Sequence, residues 1–157
     1  MTGPADDLDA RRGRRGRRER RERNRATVAE VIRRLGEADF DGCAALLADG
    51  FVQEYPYRPT PDGPERIEGV EAAMAFMRPG MSAFEPYRYT IEATYDLVDP
   101  DTVIAEYTSH SRLLRDGTPY SNRYIAVFQL DADGRVERWR EYLNPVVIAD
   151  VIDRLRG

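Results

Sequence analysis

Glu141 is the carboxylate whose sequence surroundings best suit proton chemistry. It lies in Val-Glu-Arg-Trp-Arg-Glu-Tyr-Leu (136–143), two residues from Trp139, and the apolar stretch before it carries Tyr120, Asn122, Tyr124 and Phe128. If these side chains share one face, the carboxyl group is taken out of water. Burial penalises its charged form, raises its pKa toward neutrality and makes it a usable general acid or base. Tyr120 can then donate to a carbonyl or a developing oxyanion, and Asn122 can orient it. Other roles stay open: Glu141 as an ion pair with a neighbouring Arg, and Tyr120 and Asn122 as satisfied core groups.

Whether they share a face follows from strand parity. Residues 120–130 and 135–143 are rich in aromatic and β-branched side chains, and Asp131-Ala132-Asp133-Gly134 between them has hairpin turn chemistry. Pairing Leu130 with Arg135 puts Glu141 opposite Tyr124 and Trp139 opposite Ala126, with Tyr120 and Asn122 on the same face. A second turn, Arg115-Asp116-Gly117-Thr118, joins a strand of about 102–114. Pairing Arg115 with Thr118 adds Tyr107, Ser109 and Ser111 to the face of Glu141. The opposite face receives Glu106, His110, Arg112, Arg123, Arg138 and Arg140. A slip of one residue in either turn would exchange the two faces.

Other chemistries find little to work with. His110 is the single histidine, and this register turns it away from Glu141, toward Arg123, in a surface or interface role. Cys43 is the single cysteine and reads as a small buried helix residue. There is no clustered ligand spacing for a metal, no Gly-rich phosphate loop and no nucleophile elbow, so no metal is expected.

The elements that must position these residues can be read in order. Val28, Val31, Ile32 and Leu35 mark one face of a helix from near Asn24 to near Gly36. A short second helix is expected, with Asp41 as cap, Ala44, Leu46 and Leu47 as its buried side, and Gly50 as terminator. Phe51–Tyr57 reads as a strand leading into a Pro- and Gly-rich loop (58–66) that can edge a pocket. Val70, Ala73, Met74 and Met77 mark a third helix, stopped by Pro79-Gly80. Tyr87–Leu97 alternates strictly, the signature of a half-buried strand. After the two long strands and the hairpin, Asn144-Pro145 opens a last helix with Ile148, Val151, Ile152 and Leu155 inward. The class is α+β: three N-terminal helices and a C-terminal helix packed on a curled antiparallel sheet, a cone whose hollow is a natural small-molecule site.

The chain has 157 residues and 41% hydrophobic content, enough for one domain with a real core. All 24 of its cations are Arg. Residues 1–25 hold ten Arg against five acids, a net of +5, which leaves −9 on the rest of a chain with a formal charge of −4. The expectation is a disordered Arg-rich tail over 1–23 and a single domain over 24–157. With no aromatic in the tail to stack on bases, nucleic acid is not expected as a partner. No apolar run is long enough to span a bilayer, and the N-terminus lacks a signal-like apolar segment. With a lone cysteine, this fits a reducing cytoplasm.

The order of elements, with Asn24-Arg25-Ala26-Thr27-Val28 near the start and Arg140-Glu141-Tyr142-Leu143-Asn144-Pro145 near the end, resembles the phenazine biosynthesis A/B family. That family sits in the nuclear transport factor 2-like superfamily, with SnoaL-type polyketide cyclases, ketosteroid isomerases and limonene-epoxide hydrolases. The resemblance runs from about Arg20 to Ile152. It implies a cone-shaped, cystatin-like α+β barrel, dimeric through the outer sheet face, with a cofactor-free pocket for acid/base chemistry. The family's last-strand Glu and preceding-strand Tyr fall on Glu141 and Tyr120. Its pocket His falls near Phe76, so a substrate other than the phenazine precursor is expected. Relatives often place a polar pocket group where Glu54 stands, and Tyr57, Tyr107, Ser109, Tyr124 and Trp139 complete the expected substrate-binding wall. Superfamily epoxide hydrolysis uses an Arg and an Asp two apart on a long strand, a pair that 102–114 lacks. The implied function is cyclisation, isomerisation or condensation of a small polyketide-like or aromatic precursor in specialised metabolism. The alternatives are a non-catalytic carrier and an epoxide hydrolase-type reaction with a different constellation.

Overall fold

The protein is described from a computed structural model covering residues 4–156. Its elements are α1 (Pro4–Gly36), α2 (Phe40–Ala44), β1 (Leu47–Glu54), β2 (Arg66–Glu68), α3 (Val70–Met81), β3 (Arg88–Asp96), β4 (Thr102–Arg112), β5 (Pro119–Leu130), β6 (Val136–Leu143) and α4 (Pro145–Arg156). The strands form one six-stranded sheet in the order β2-β1-β6-β5-β4-β3. The sheet is not wholly antiparallel, as expected from the meander, because β1 runs parallel to β6. That pairing makes β6 an interior strand. Its inward side chains Val136, Trp139, Glu141 and Leu143 are all buried.

The two hairpins keep the expected faces with a different register. The β5–β6 turn closes between Asp131 and Arg135, where Asp131 N donates to Arg135 O at 2.8 Å, and Asp131 Oδ1 accepts from the amides of Asp133 and Arg135. A bulge after Gln129–Arg138 then adds a second offset. Two one-residue offsets preserve parity. Glu141 therefore stands opposite Ala126 and Trp139 opposite Phe128, on the intended side. In the β4–β5 hairpin Tyr107 faces Tyr124 and Ser111 faces Tyr120, again a shift of two. In β3 a bulge between Ile91 and Ala93 breaks the expected alternation and turns Tyr95 outward, where its hydroxyl donates to Glu106 at 2.8 Å.

The helices differ from expectation mainly at their ends. Residues 4–23, expected as a disordered tail, continue α1 as helix. Arg15 pairs with Glu19 and Arg18 with Glu22 one turn on. Arg20 bridges to Asp101 at 3.0 Å, and Arg21 donates to the carbonyl of Leu97 at 2.8 Å. Asn24, fully buried, donates to Pro100 O and accepts from Arg23, which fastens α1 to the β3–β4 turn. Helix α2 is capped by Asp39 rather than Asp41, and ends at Ala44, so Leu47 and Gly50 belong to β1. Pro79 lies inside α3 rather than stopping it. Gly36 serves close approach: a Cβ there would meet Tyr87 O at 2.7 Å and the Tyr89 ring at 2.7 Å.

Val28, Val31, Ile32, Leu35, Phe51, Phe128, Val136 and Trp139 fill the closed end of the cone. Gly134 (φ +82°) makes the β5–β6 turn, and a Cβ there would meet the Arg23 guanidinium at 2.6 Å. Gly134→Ala is expected to destabilise the fold by about 1–2 kcal/mol, from left-handed backbone strain alone, read as a lowered denaturant midpoint with an unchanged slope.

Candidate active site

The open end of the cone holds a cavity of about 320 Å³. Its sheet wall is aromatic: Tyr87 and Tyr89 from β3 and its approach, Tyr120 and Tyr124 from β5, and Tyr55 at the end of β1. Met77 and Met81 of α3 and Ile148, Val151, Ile152 and Leu155 of α4 close the other side. Pro59 and Thr60 bring the loop after β1 to its edge, as the Pro-rich sequence suggested. Glu141 is the only ionisable carboxylate or base on this lining, which contains no Arg, Lys, His or Asp.

Glu141 is 9% exposed. Ala126, directly opposite, leaves room for its carboxyl group. Burial pushes its pKa up to about 7 from the ordinary 4.5, and two groups partly offset this. Tyr107 donates a hydrogen bond to Glu141 Oε2. The Trp139 indole also favours the anion, though its N–H closes no hydrogen bond of good geometry.

Tyr120 is fixed from its oxygen side. The amides of Arg123 and Asn144 donate to Asn122 Oδ1 at 2.8 and 3.3 Å. That settles the Asn122 amide orientation, so its Nδ2 must donate, to Tyr120 Oη at 3.2 Å and to Asn144 O at 3.3 Å. With an acceptor site on Tyr120 thus occupied, its proton is directed either to Tyr124 Oη, 3.4 Å away, or to a ligand. Burial pushes the Tyr120 phenol up, while its bonds to Tyr124 and Asn122 pull it back down. Tyr124 Oη in turn shares a 2.9 Å bond with Ser109, and its ring stacks on Tyr107 at 4.8 Å.

Of the residues expected in the site, Glu141, Tyr120, Tyr124 and Phe76 line the cavity. Tyr107, Ser109 and Asn122 stand behind it and hold the lining groups. Trp139 belongs to the core below, packed on Phe128 at 5.0 Å. Glu54 and Tyr57 are corrections. Phe51, Gln53 and Tyr55 point inward, so Glu54 points out, into an ion cluster with Arg140 (2.8 Å), Arg66 (2.9 Å) and Arg138 (4.0 Å). Partial burial pushes its carboxyl up, but the Arg140 bond and the three positive charges outweigh this and hold it below the ordinary range. Tyr57 is 61% exposed and packs on Tyr142 outside the cone. His110 faces outward, as the register required, with Nδ1 2.8 Å from Ser121 Oγ. Sequence reasoning missed Tyr55, Tyr87, Tyr89 and Phe84 as lining. The alternation of Tyr87 and Tyr89 was the available signal for two of them, since it placed them on the inner face.

Residues 28–139 match the family model described as SnoaL-like domain. The chain belongs to the SnoaL-like family. It is 31% identical over 124 residues to the protein YesE of Bacillus subtilis (strain 168), covering 79% of this chain and 83% of that one. A Bacillus subtilis crystal structure named as a candidate isomerase is 28% identical, covers 84% of this chain and 94% of its own, and superposes with a TM-score of 0.75. RV0760c from Mycobacterium tuberculosis, in complex with estradiol-17β-hemisuccinate, is 26% identical over 78% of this chain and 94% of its own, with a TM-score of 0.66. A phenazine biosynthesis-related protein from Pseudomonas aeruginosa and a ketosteroid isomerase from Mycobacterium sp., both 23% identical, share the fold. The SnoaL-like chain is thus a nuclear transport factor 2-like α+β cone.

A raised carboxyl pKa has a thermodynamic consequence. Glu141 titrates higher folded than unfolded, so its contribution to stability is fully present below about 4.5 and is lost as pH rises through about 7. The loss is roughly 3 kcal/mol. Glu141→Gln, neutral at every pH, is therefore expected to be more stable than the parent above pH 8 and close to it at pH 4. Chemical denaturation at the two pH values measures this, and an equal difference at both would disprove the buried, uncompensated charge.

Proposed function

We propose that this SnoaL-like protein is a cofactor-independent acid/base enzyme that cyclises, isomerises or condenses a small, uncharged, polyketide-like or aromatic molecule in specialised metabolism. The observation that carries this reading is the single carboxylate poised near neutrality in an otherwise apolar cavity. Glu141, as the anion, takes a proton from carbon next to a carbonyl and returns it elsewhere on the same molecule. Tyr120, backed by Asn122, directs its own proton to the carbonyl oxygen as negative charge develops there. The apolar walls exclude water and hold the substrate by shape. An anionic substrate finds no cation on the lining and meets Glu141 as a like charge.

The second reading, a carrier that binds such a molecule without converting it, is favoured by the steroid ester bound in RV0760c and by a computationally designed 17-OHP binder of the same fold. Epoxide hydrolase-type hydrolysis gains nothing from this cavity, whose lining offers no Arg–Asp pair beside Glu141. Assay against candidate ketones separates the two leading readings. In an enzyme, Glu141→Gln lowers kcat by about 10²–10⁴-fold with ligand affinity retained, and the rate rises with pH along a limb centred near 7. Tyr120→Phe costs about 10²–10³-fold. Saturable binding with no turnover in the parent would leave the carrier, and unchanged turnover in Glu141→Gln would remove Glu141 as the base.

We also propose that two copies pair through the outer sheet face, and that the protein works in the cytoplasm. The half-exposed Ile125 and the Tyr57–Tyr142 pair offer an apolar centre on that face. Among the described residues no helix is long and apolar enough to cross a membrane. Sedimentation should give twice the 18.0 kDa chain mass, reverting to the single mass in Ile125→Glu; a single mass for the parent would remove the dimer.

A further inference from the structure

The outer face of the sheet carries a cluster of cations that the proposed chemistry does not use. Arg88 of β3 stands opposite His110 of β4, and His110 opposite Ser121 of β5, so the three form one row across three strands. Arg112, two residues on from His110, occupies the next row opposite Pro119. Neighbouring strands lie about 4.8 Å apart and alternate residues about 6.7 Å apart along a strand, so both guanidiniums start within side-chain reach of the imidazole. Together they line a hollow of about 380 Å³, with Ser121 and Glu85. Arg123, on the same face beside Thr108, flanks it.

What marks this cluster is that its unmatched guanidiniums lie together. Most arginines of the body are matched with acids: Arg25 with Asp96, Arg34 with Glu30 and Asp39, Arg58 with Glu65, Arg66 and Arg140 with Glu54, Arg135 with Asp49 and Asp131, Arg154 with Asp150. Arg115 is another exception, and it stands apart, bonded to the carbonyls of Arg154 and Leu155. Among the described residues, Arg88, Arg112 and Arg123 have no carboxylate within 4.0 Å, and they surround the chain's one histidine. In a chain with 28 acids against 24 arginines, local acids to quench them were available. Arg88 and Arg112 stand diagonally across the β3–β4 pair, and like charges so placed destabilise a sheet, so the patch costs the fold something unless an anion is supplied from outside.

The groups are also preset. Arg112 donates to Gly117 O at 3.1 Å, which ties its guanidinium to the β4–β5 turn. His110 engages Ser121 through Nδ1, leaving Nε2 for a ligand. A carboxylate is planar and is matched by one guanidinium fork, whereas donors converging from separate strand positions suit the several oxygens of a tetrahedral anion. Glu85, exposed at the rim, is the one acid on the lining, and its charge is screened by water there.

We propose that the Arg88–His110–Arg112 hollow binds a phosphoryl group, free or carried on a small molecule, on the face of the sheet opposite the cavity. Tyr120 lines both hollows and precedes Ser121 in β5, so occupancy of the outer site reads out at the phenol of the inner one.

The test is a nitrogen-15 NMR titration of the full chain with inorganic phosphate at fixed pH and ionic strength. Saturable shifts are expected at the amides of residues 88, 110, 112 and 120–121, with Kd rising at least tenfold in Arg88→Gln/Arg112→Gln and unchanged in the remote control Arg78→Gln. Both substituted side chains are exposed, and a thermal melt confirms that the double variant folds. Glucose 6-phosphate, run in parallel, tells a phosphate-ester site (tighter than inorganic phosphate) from one for the free ion (weaker), and either result upholds the phosphoryl site. Shifts that follow ionic strength alone, or saturable shifts that persist in the double variant, overturn it. So does a double variant that changes sedimentation while the parent ignores phosphate, since the patch would then be part of a subunit interface.

Discussion

Keeping one carboxyl group dry is the constraint on which the open end of this cone depends. A carboxylate surrounded by phenols and aliphatic side chains is penalised by lost hydration, and the fold answers with neutral groups, the Tyr107 hydroxyl first and the Trp139 indole beside it, rather than with a cation. An arginine in that place would have driven the group permanently anionic, as the trio around Glu54 does on the other face of the same strand pair. The two glutamates are 2.8 Å from Arg140 in one case and beyond any cation in the other. Side-chain parity in β1 and β6 alone decides which is which.

Supporting that carboxyl group takes much of the molecule. The parallel β1–β6 pairing buries β6 on both edges. The β5–β6 turn sets its register through Asp131, and Arg23 of α1 reaches that turn at Ala132 O. Helix α1 fixes the β3–β4 turn through Asn24, and Gly36 at its far end lets Tyr87 and Tyr89 close on the cavity. Opposite them, α4 departs from Asn144, whose backbone holds Asn122 and through it Tyr120. The strand that bears the acid and the helix that roofs it are thus joined through one asparagine.

Much of this was legible in the sequence because the relevant signal has a period of two. Tyr120, Asn122, Tyr124, Trp139 and Glu141 share a face under any even register error, and the errors were even. Glu54 failed for the converse reason: nothing local says which side of β1 faces in, and the parallel partner that decides it lies some eighty residues away. Tyr95 failed because a bulge reverses parity without a glycine to announce it. The helical run before Asn24 was unreadable from composition, since Gly13 and Gly16 argue against helix and the contacts that favour it come from the distant residues Leu97 and Asp101. The roof of the cavity was half visible, as an apolar stripe on α4 whose destination depends on the path of the chain after Pro145.

The parallel seam between β1 and β6 has a bearing on how the molecule is born. During synthesis β1 leaves the ribosome early, yet the neighbour that covers its inner edge is the last strand to be made. Until then the cone is an open trough with an exposed sheet margin, the kind of surface that invites mispairing. Insertion of β6 closes the margin and delivers the acid in the same event, so a chain that has not finished folding has no dry carboxyl group and nothing to do chemistry with.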